Sequence, residues 1–307
     1  MGIFGGSQVD WTLELDGGSV IARPGGPFRA RIGFRPRGGI EARRIMAALV
    51  GREEYAVEIV DHDQSGRSTN RRRETSELWR QEVPLAGPGR IAPGETRATV
   101  VEFAIPPDAP PSFEGGALNV RWTLEAWIDV GGRDPRVEQP LIVAAVVASS
   151  GTNEPASGER VDAELEGRPC VLWLQPAPLR TGAPFSGAVD VTAPLDVGST
   201  RVDLNLIVAT VGEGGIAGAV LLGKLGMTSS SRNGVTETRT LWRGKLGEVP
   251  ISSPGWHRYA FTGQLPAVSI VTAMFPHGSV TGVIDVVGSR RLRPDVHVTR
   301  PVSIVTG

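Results

Sequence analysis

Residues 106–130 read PPDAPPSFEGGALNVRWTLEAWIDV, and two opposite patterns meet in this stretch. Its first eleven residues contain four prolines and two glycines, which indicate a rigid turn. From Leu118 to Val130, apolar residues occupy every second position, and polar residues lie between them except at Trp127. A period of two is typical of a β-strand with one buried face and one solvent-facing face. The stretch therefore predicts a rigid corner followed by a long strand that re-enters a sheet.

The same alternation recurs in short segments along the whole chain. In the first half it predicts strands at 9–15, 28–34, 45–50, 55–60, 78–83, 98–105 and 140–148, with one helical turn considered within 69–83. In the second half it predicts strands at 161–165, 171–174, 185–191, 202–211, 235–241, 259–265, 280–287 and 296–302. The 40 glycines and 24 prolines are spread between the apolar runs, as turn-forming residues are. Short strands at this spacing predict an all-β protein made of sandwiches or barrels.

The composition limits the classes of function. A length of 307 residues predicts about two domains, and a net charge of -1 argues against nucleic acid as a partner. A single cysteine, Cys170, excludes an internal disulfide and favours a reducing compartment. We find neither a signal peptide nor an apolar run of about 18 residues, the length of a membrane helix. The sequence thus predicts a cytoplasmic protein without an integral membrane segment, and leaves peripheral membrane association open.

Four pairs of similar segments indicate an internal duplication. RPGGPFRARIGF (23–34) matches RTGAPFSGAVDV (180–191), and Arg44-Ile45 matches Arg201-Val202 at the same offset. SELWR (76–80) matches RTLWR (239–243), and WIDV (127–130) matches VIDV (283–286). Self-similarity at a fixed offset indicates repeated structural units. Since the polar stretch SSGTNEPASGER (149–160) separates the copies, we predict one β-sandwich domain at 1–149, a linker at 150–160 and a second β-sandwich domain at 161–307.

Three segments of the first half resemble the arrestin-like superfamily, which includes arrestins, the retromer small subunit and bacterial sporulation-control proteins. Residues 9–34 resemble its opening strand, Pro-Gly turn and second strand, and residues 38–51 resemble a third strand that ends in glycine. Residues 103–130 resemble its proline corner and long return strand. In the second half the corresponding stretch, QLPAVSIVTAMFPHG (264–278), has no P-P-S-F motif, and the phosphate-triggered latch of arrestins does not map onto this chain.

The resemblance implies two tandem immunoglobulin-like, arrestin-type sandwiches. It also implies a non-catalytic adaptor or scaffold that binds protein partners along sandwich edges or in the groove between the halves. The alternative is a ligand- or carbohydrate-binding module, which would be favoured by a row of exposed aromatic side chains on one sheet face. Trp127, on the polar side of its strand, is the residue that bears on this alternative. An enzyme would need converging titratable groups that the sequence does not reveal.

Two patterns could bind metal ions. Asp61, Asp63, Ser65 and Gly66 match the first half of a calcium loop, but Arg72 stands where such a loop needs a glutamate. The histidines His257, His277 and His297 could together hold zinc, but their strand faces differ. A solvated hairpin and three separate side chains are the simpler interpretations, so we predict no metal site.

Other motifs are equally weak. The glycines at 212, 214 and 218 follow a strand but lack the helix and acidic residue of a dinucleotide site, so we predict no cofactor. Cys170 begins an apolar run and is predicted to be a buried thiol rather than a nucleophile. The basic runs 71–73 and 289–294 are interpreted as solvated loops, and the matched Trp79 and Trp242 as core residues. The sequence therefore assigns no catalytic, cofactor-binding or metal-binding residue, and it does not identify the partner-binding residues.

Overall fold

The computed structural model describes residues 8–16, 21–63, 66–144, 159–165, 167–193, 199–212, 229–247, 254–267, 272–290 and 294–305. These ranges consist of β-strands and their connections and contain no α-helix. The predicted all-β class is thus confirmed. Within the same ranges no helix is long and apolar enough to cross a membrane.

The first half of the chain contributes eleven strands and the second half twelve. The first eleven are β1 (Val9–Leu15), β2 (Ile21–Ala22), β3 (Pro27–Pro36), β4 (Ile40–Ala42), β5 (Arg44–Asp63), β6 (Gly66–Ala86), β7 (Gly89–Ile91), β8 (Arg97–Ala104), β9 (Phe113–Glu114), β10 (Leu118–Asp129) and β11 (Arg136–Val143). The others are β12 (Glu159–Leu165), β13 (Arg168–Gln175), β14 (Leu179–Arg180), β15 (Pro184–Ala193), β16 (Ser199–Thr210), β17 (Ser229–Gly234), β18 (Thr236–Gly247), β19 (Gly255–Gln264), β20 (Ala273–Phe275), β21 (Gly278–Ser289), β22 (Val296–Val302) and β23 (Ile304–Val305).

The structure corrects the sequence prediction most clearly in β5 and β6. The predicted strands at 45–50 and 55–60 are one 20-residue strand, and the helical turn considered within 69–83 is wrong because β6 is extended throughout. Gly51, expected to end a strand, lies inside β5 against the Trp122 ring. A β-carbon there would lie 2.9 Å from that ring, so glycine serves close packing rather than a turn.

The long strand β10 follows its predicted alternation, with two exceptions. The side chains at 118, 120, 122, 124, 126 and 128 are all buried. On the opposite face, however, Asn119 and Glu125 are only 4% and 3% exposed, so this face is not wet along its whole length. Arg52 Nη1 lies 2.7 Å from Glu125 Oε1, which gives that buried carboxylate an ion-pair partner.

The chain divides into two compact units that do not follow the chain halves. Unit 1 comprises residues 1–54, 74–112 and 119–146, and unit 2 comprises residues 55–73, 113–118 and 147–307. The chain therefore passes from one unit to the other within strands β5 and β6. The predicted linker falls largely on residues 145–158, which lie outside the described ranges, while Glu159 and Arg160 begin β12. The domain bounds 1–149 and 161–307 stay a prediction. Because unit 2 takes segments from both halves, we do not expect the halves to separate when the chain between them is cut.

Each unit contains sheets whose apolar faces are buried, as in a β-sandwich. In unit 1, β3 lies between β1 and β8, while β5, β10, β11 and β2 follow one another in a second sheet. In unit 2, one sheet has the order β12-β13-β15-β19, and the other contains β18, β16, β21 and β22. Phe185, Trp242 and Phe261 come from β15, β18 and β19 and contact one another by their rings, which joins the two sheets of unit 2.

The strand pairing of the two halves corresponds in the way that an internal duplication predicts. In the first half β3 pairs with β1 and β8, and in the second half β15 pairs with β13 and β19. Parallel pairs of two residues each, β2 with β11 and β14 with β23, also correspond. Gly25 and Gly182 take nearly the same positive φ, 76° and 74°, in the turns before β3 and β15.

The hydrogen bonds that fasten the proline corner have a counterpart in the second half, although residues 264–278 lack the P-P-S-F motif. The Ser112 hydroxyl accepts from the Val143 amide, and the Ser112 amide donates to the Val143 carbonyl. Thr272 makes the same pair of hydrogen bonds with Ile304. The motif letters differ, but both corners fasten a strand by a hydroxyl-bearing residue.

Trp79 and Trp242 are not equivalent, although their sequences match. Trp242 packs against Phe185 and Phe261, because a bulge at Leu241 shifts the register and turns it inward. Trp79 is 40% exposed, so its assignment to the core is wrong. The alternation of β6 places its neighbour Leu78 on the more buried face and Trp79 on the outer one.

Candidate functional site

Strand β19 forms one border of the four-stranded sheet of unit 2. Its ten residues pair with β15 in an unbroken antiparallel register, from Gly255 opposite Ala193 to Gln264 opposite Pro184. Among the described strands β19 pairs with β15 alone. The strand therefore presents one backbone edge that no described strand covers.

The direction of each backbone group on β19 follows from one hydrogen bond. The Leu265 amide donates to the Ala183 carbonyl over 3.2 Å, which makes this a hydrogen-bonded pair. In an antiparallel strand pair, hydrogen-bonded and non-hydrogen-bonded residue pairs alternate. Every second residue of β19 before Leu265 therefore also points its amide and carbonyl at β15. The intervening residues point away from β15, and these are Trp256, Arg258, Ala260, Thr262 and Gln264. Gln264, one of these outward-pointing residues, lies opposite Pro184, which has no amide hydrogen. The assignment agrees with this, because it places no hydrogen bond between these two residues.

The other sheet borders are shorter, more charged or partly covered. On β8, the outward amide of Ala104 donates to the Gln81 side chain over 3.0 Å. On β12, the Asp162 carbonyl accepts from the Arg300 guanidinium, and four of the seven residues are charged. Such devices protect edge strands from pairing with other chains. β19 has ten residues without proline or lysine, and Arg258 is its one arginine.

The outer face next to this border carries a fixed polar network. Arg258 donates from Nε and Nη2 to the two oxygens of Asp190, both over 2.7 Å, and Trp173 Nε1 donates to Asp190 over 2.8 Å. The guanidinium groups of Arg160 and Arg258 lie 5.5 and 5.7 Å from the centre of the Trp173 ring. The Arg258 hydrogen bonds hold the pKa of Asp190 below its ordinary value, despite partial burial. The network thus keeps a carboxylate ionised and sets the orientation of the indole ring by a hydrogen bond.

Strand addition already occurs once within unit 2. The polar strand β17 pairs antiparallel with residues 57–62 of β5, which lie far away in sequence. Thr210 fastens this region, since its hydroxyl donates to the Ala56 carbonyl over 2.7 Å and accepts from the Val235 amide over 2.8 Å. Tyr55 lies beneath both Arg232 and the His277 ring, with ring centres of Tyr55 and His277 4.3 Å apart.

The two candidate metal patterns do not converge in the described part of the chain. Asp61 lies near the end of β5 and pairs with Ser230, residue 65 lies outside the described ranges, and Gly66 begins β6. Because Arg72 is also within β6, the described positions of this pattern belong to two strands rather than to a calcium loop. Within those ranges no three histidine, cysteine, aspartate or glutamate side chains lie close enough to hold a metal ion.

The three candidate histidines lie apart from one another. His257 is on β19, His277 is in the turn before β21 and stacks on Tyr55, and His297 is on β22. His297 Nδ1 lies 2.9 Å from an oxygen of Asp285. β21 pairs Val287 with His297, so His277 and His297 lie at opposite ends of that strand. They therefore cannot share one ion.

Cys170 is buried, as predicted. Burial, with a contribution from the Asp190 charge, raises the pKa of its thiol to about 11. The thiol is thus protonated at neutral pH and is a poor nucleophile. Of the three candidate cofactor glycines, Gly212 follows β16, while positions 214 and 218 lie outside the described ranges.

The basic and aromatic candidates lie on sheet surfaces. Arg71–Arg73 belong to an exposed part of β6, not to a loop, and Arg73 donates to the Gly116 carbonyl over 3.0 Å. Ser289 ends β21, and residues 291–293 of that run are outside the described ranges. Trp127 is half-buried and lies opposite Arg136, so it does not begin an exposed aromatic row.

Sequence reasoning missed the residues of the β19 border. Within the segment GWHRYAFTGQ the alternation predicts a strand only from residue 259 onward, and nothing in its pattern tells an edge strand from a central one. Its one usable signal was Trp256, an exposed aromatic residue (57%) at a strand start. Comparison with known proteins finds no family model that matches the chain and no matching curated protein.

Proposed function

We propose that the chain is a non-catalytic cytoplasmic adaptor that binds an extended segment of a partner protein along β19. In this mode the partner adds a strand to the sheet, its backbone supplies hydrogen bonds, and alternate side chains supply selectivity. The partner would pair with the outward amides and carbonyls of residues 256, 258, 260, 262 and 264. Trp256 would lie at one end of the added strand as an aromatic contact.

The observation that carries this proposal is the contrast between β19 and the other borders. Long, regular and weakly charged edge strands tend to pair with other chains, and natural proteins usually protect them. β8 and β12 have such protection in their side-chain hydrogen bonds, whereas β19 has ten residues in unbroken register with β15. The pairing of β17 with β5 shows the same geometry inside one chain.

Other features support the proposal less directly. The protonated Cys170 thiol and the carboxylates bound to arginines, such as Asp190, offer no activated nucleophile there. The resemblance of residues 9–34, 38–51 and 103–130 to arrestin-like proteins supports tandem immunoglobulin-like sandwiches and an adaptor role by analogy. The single cysteine supports the cytoplasm as its location.

The test is affinity capture from the source cell's lysate with the wild-type chain and two edge-proline variants. Ala260→Pro removes an outward amide of β19 without removing a bond to β15, and Val100→Pro is the matched change on the edge strand β8. We expect a stoichiometric partner to be retained by wild type and by Val100→Pro, and lost from Ala260→Pro. Circular dichroism and thermal unfolding check that both variants fold.

Either of two results would contradict the proposal. One is a partner that Ala260→Pro retains as well as wild type does, which would place its binding elsewhere. The other is that the wild-type chain captures no protein in larger amount than the folded Ala260→Pro variant does.

A further inference from the structure

A shallow groove crosses the outer face of the same four-stranded sheet and lies beside, not along, the β19 edge. Two adjoining depressions, of about 250 and about 680 Å³, share Gln175 and Ser186 in their lining. The smaller one is bounded by Trp173 and Arg258, and the larger extends to Thr262 and Gln264. The groove therefore runs across β13, β15 and β19.

The strand register explains why the groove is open and polar. Gln175 lies opposite Ser186, and Ser186 lies opposite Thr262, so three hydrogen-bonding side chains form one line across three strands. Neighbouring strands lie about 4.8 Å apart, which sets the spacing of these side chains. In the adjacent line Trp173 is followed by Ala188 and Ala260. Because the side chains of Ala188 and Ala260 are short, the sheet surface beside Trp173 is low and forms the bottom of the groove.

The polar groups of the groove are exposed and available for a ligand. Within the described part of the chain, the side chains of Gln175, Ser186 and Thr262 make no hydrogen bond to protein. Gln264 donates from Nε2 to the Gly182 carbonyl over 3.2 Å, which leaves its side-chain oxygen as an acceptor. Arg258 uses Nε and Nη2 for Asp190, which leaves Nη1 as a donor at the groove wall.

The charges of the groove indicate a neutral ligand. The one cation in its lining, Arg258, has its charge balanced by the two short bonds to Asp190. The indole N–H of Trp173 is bound to Asp190, and the remaining polar side chains of the lining carry amides or hydroxyls, which both donate and accept. An anion would find no uncompensated positive charge, and a purely apolar segment would desolvate these groups without replacing their hydrogen bonds.

We propose that this groove binds a neutral, linear saccharide that lies across β13, β15 and β19. A polyhydroxylated chain offers a donor and an acceptor at each hydroxyl, which suits a line of amide and hydroxyl groups spaced about 4.8 Å apart. Trp173, held by Asp190 and flanked by two arginines, forms a rigid wall, and Ala188 and Pro176 supply apolar contact for the faces of the sugar rings. This site goes beyond the proposed strand addition and does not depend on it.

The test uses an array of immobilised neutral oligosaccharides, namely glucans, mannans, xylans, galactans and chitin oligomers, followed by calorimetry with the strongest. The variant Ser186→Ala/Thr262→Val removes two hydroxyls from the groove. Thr12→Val is the control, because Thr12 is also an exposed strand threonine but lies in unit 1. We expect wild type and Thr12→Val to bind with affinity that rises from one to three sugar units, and the double variant to lose about tenfold or more.

Three outcomes would overturn the proposal. Wild type could bind none of the neutral oligosaccharides on the array. The double variant could bind the selected oligosaccharide with wild-type affinity, which would place the ligand elsewhere. An acidic saccharide, added to the same array, could compete for the site and bind more strongly than every neutral one.

Discussion

At Gly51 the chain passes so close to the Trp122 ring that no side chain fits between them. Trp122 is fully buried, and its Nε1 donates to the Pro110 carbonyl over 3.0 Å, so the ring is fixed from two sides. A sequence can show a glycine, but it cannot show which ring lies above it. This is why Gly51 was interpreted as the end of a strand.

Replacing Gly51 with alanine should destabilise the protein by about 1–3 kcal/mol, because the added methyl group overlaps the Trp122 ring. Urea unfolding measures the effect as a lower midpoint at an unchanged slope. Gly38→Ala is the matched control, since a β-carbon there meets no atom within 4 Å. Equal stability of the two variants would contradict the close contact.

The Cys170 thiol should resist both ionisation and alkylation in the folded protein. Its pKa is raised to about 11, whereas an unfolded cysteine ionises near about 8.5. The thiol therefore contributes its full stabilisation below the unfolded pKa, and this stabilisation is lost as the pH rises towards 11. Thiolate absorbance during a pH titration checks the shift, with the guanidinium-unfolded chain as reference. Ionisation of the folded protein at the unfolded pKa would contradict the burial.

Among the elements, β17 shows how much depends on one side chain of a neighbouring strand. Thr210 is buried, and its hydroxyl links the Ala56 carbonyl of β5 with the Val235 amide that follows β17. Without that hydroxyl, two buried backbone groups have no partner at this position, because valine has the shape of threonine but cannot hydrogen-bond.

Thr210→Val should therefore cost about 2 kcal/mol and should speed amide exchange in β17. Thermal unfolding and hydrogen exchange measure the two effects. Thr240→Val serves as the control, because Thr240 is exposed and its hydroxyl donates to the Asn205 side chain rather than to a buried backbone group. A loss of thermal stability in Thr240→Val alone would argue against the role of Thr210. Unchanged amide exchange of β17 in Thr210→Val would argue against it as well.

The strands themselves were largely predictable from sequence, and their pairing was not. Alternation identified β1, β3, β8 and β10, since a half-buried strand repeats with period two. It missed β17, whose sequence SSSRNG has no apolar face and forms a strand only because β5 offers it hydrogen bonds. It could not identify β19 as a border, because edge position is a property of the assembled sheet.

For the whole molecule, units 1 and 2 show an assignment of segments that the repeat pattern alone did not predict. Matching segments such as 23–34 and 180–191 predicted the duplication, and their glycines take the same conformation. They did not predict that residues 55–73 and 113–118 belong to unit 2. Contacts between segments distant in sequence have no local signature. The same limit applies to the groove, which is assembled from residues of three strands.

Cutting the chain within residues 149–158 should leave one species under native conditions. Unit 2 contains segments from both sides of the cut, because β17 pairs with β5 and Thr210 bonds to Ala56. A specific protease site inserted there, followed by size-exclusion chromatography, checks this. The two fragments should co-elute and separate only in denaturant. Separation without denaturant would contradict this composition of unit 2.

Amide hydrogen exchange along β19 of the free protein, followed residue by residue with NMR, distinguishes an open β19 edge from a covered one. We expect strict alternation: His257, Tyr259 and Phe261 should be protected by their bonds to β15, and Arg258, Ala260 and Thr262 should exchange about a hundredfold faster or more. Those three amides should become protected when the captured partner binds. Equal protection of both sets in the free protein would mean that the edge is already covered, and would contradict strand addition at β19.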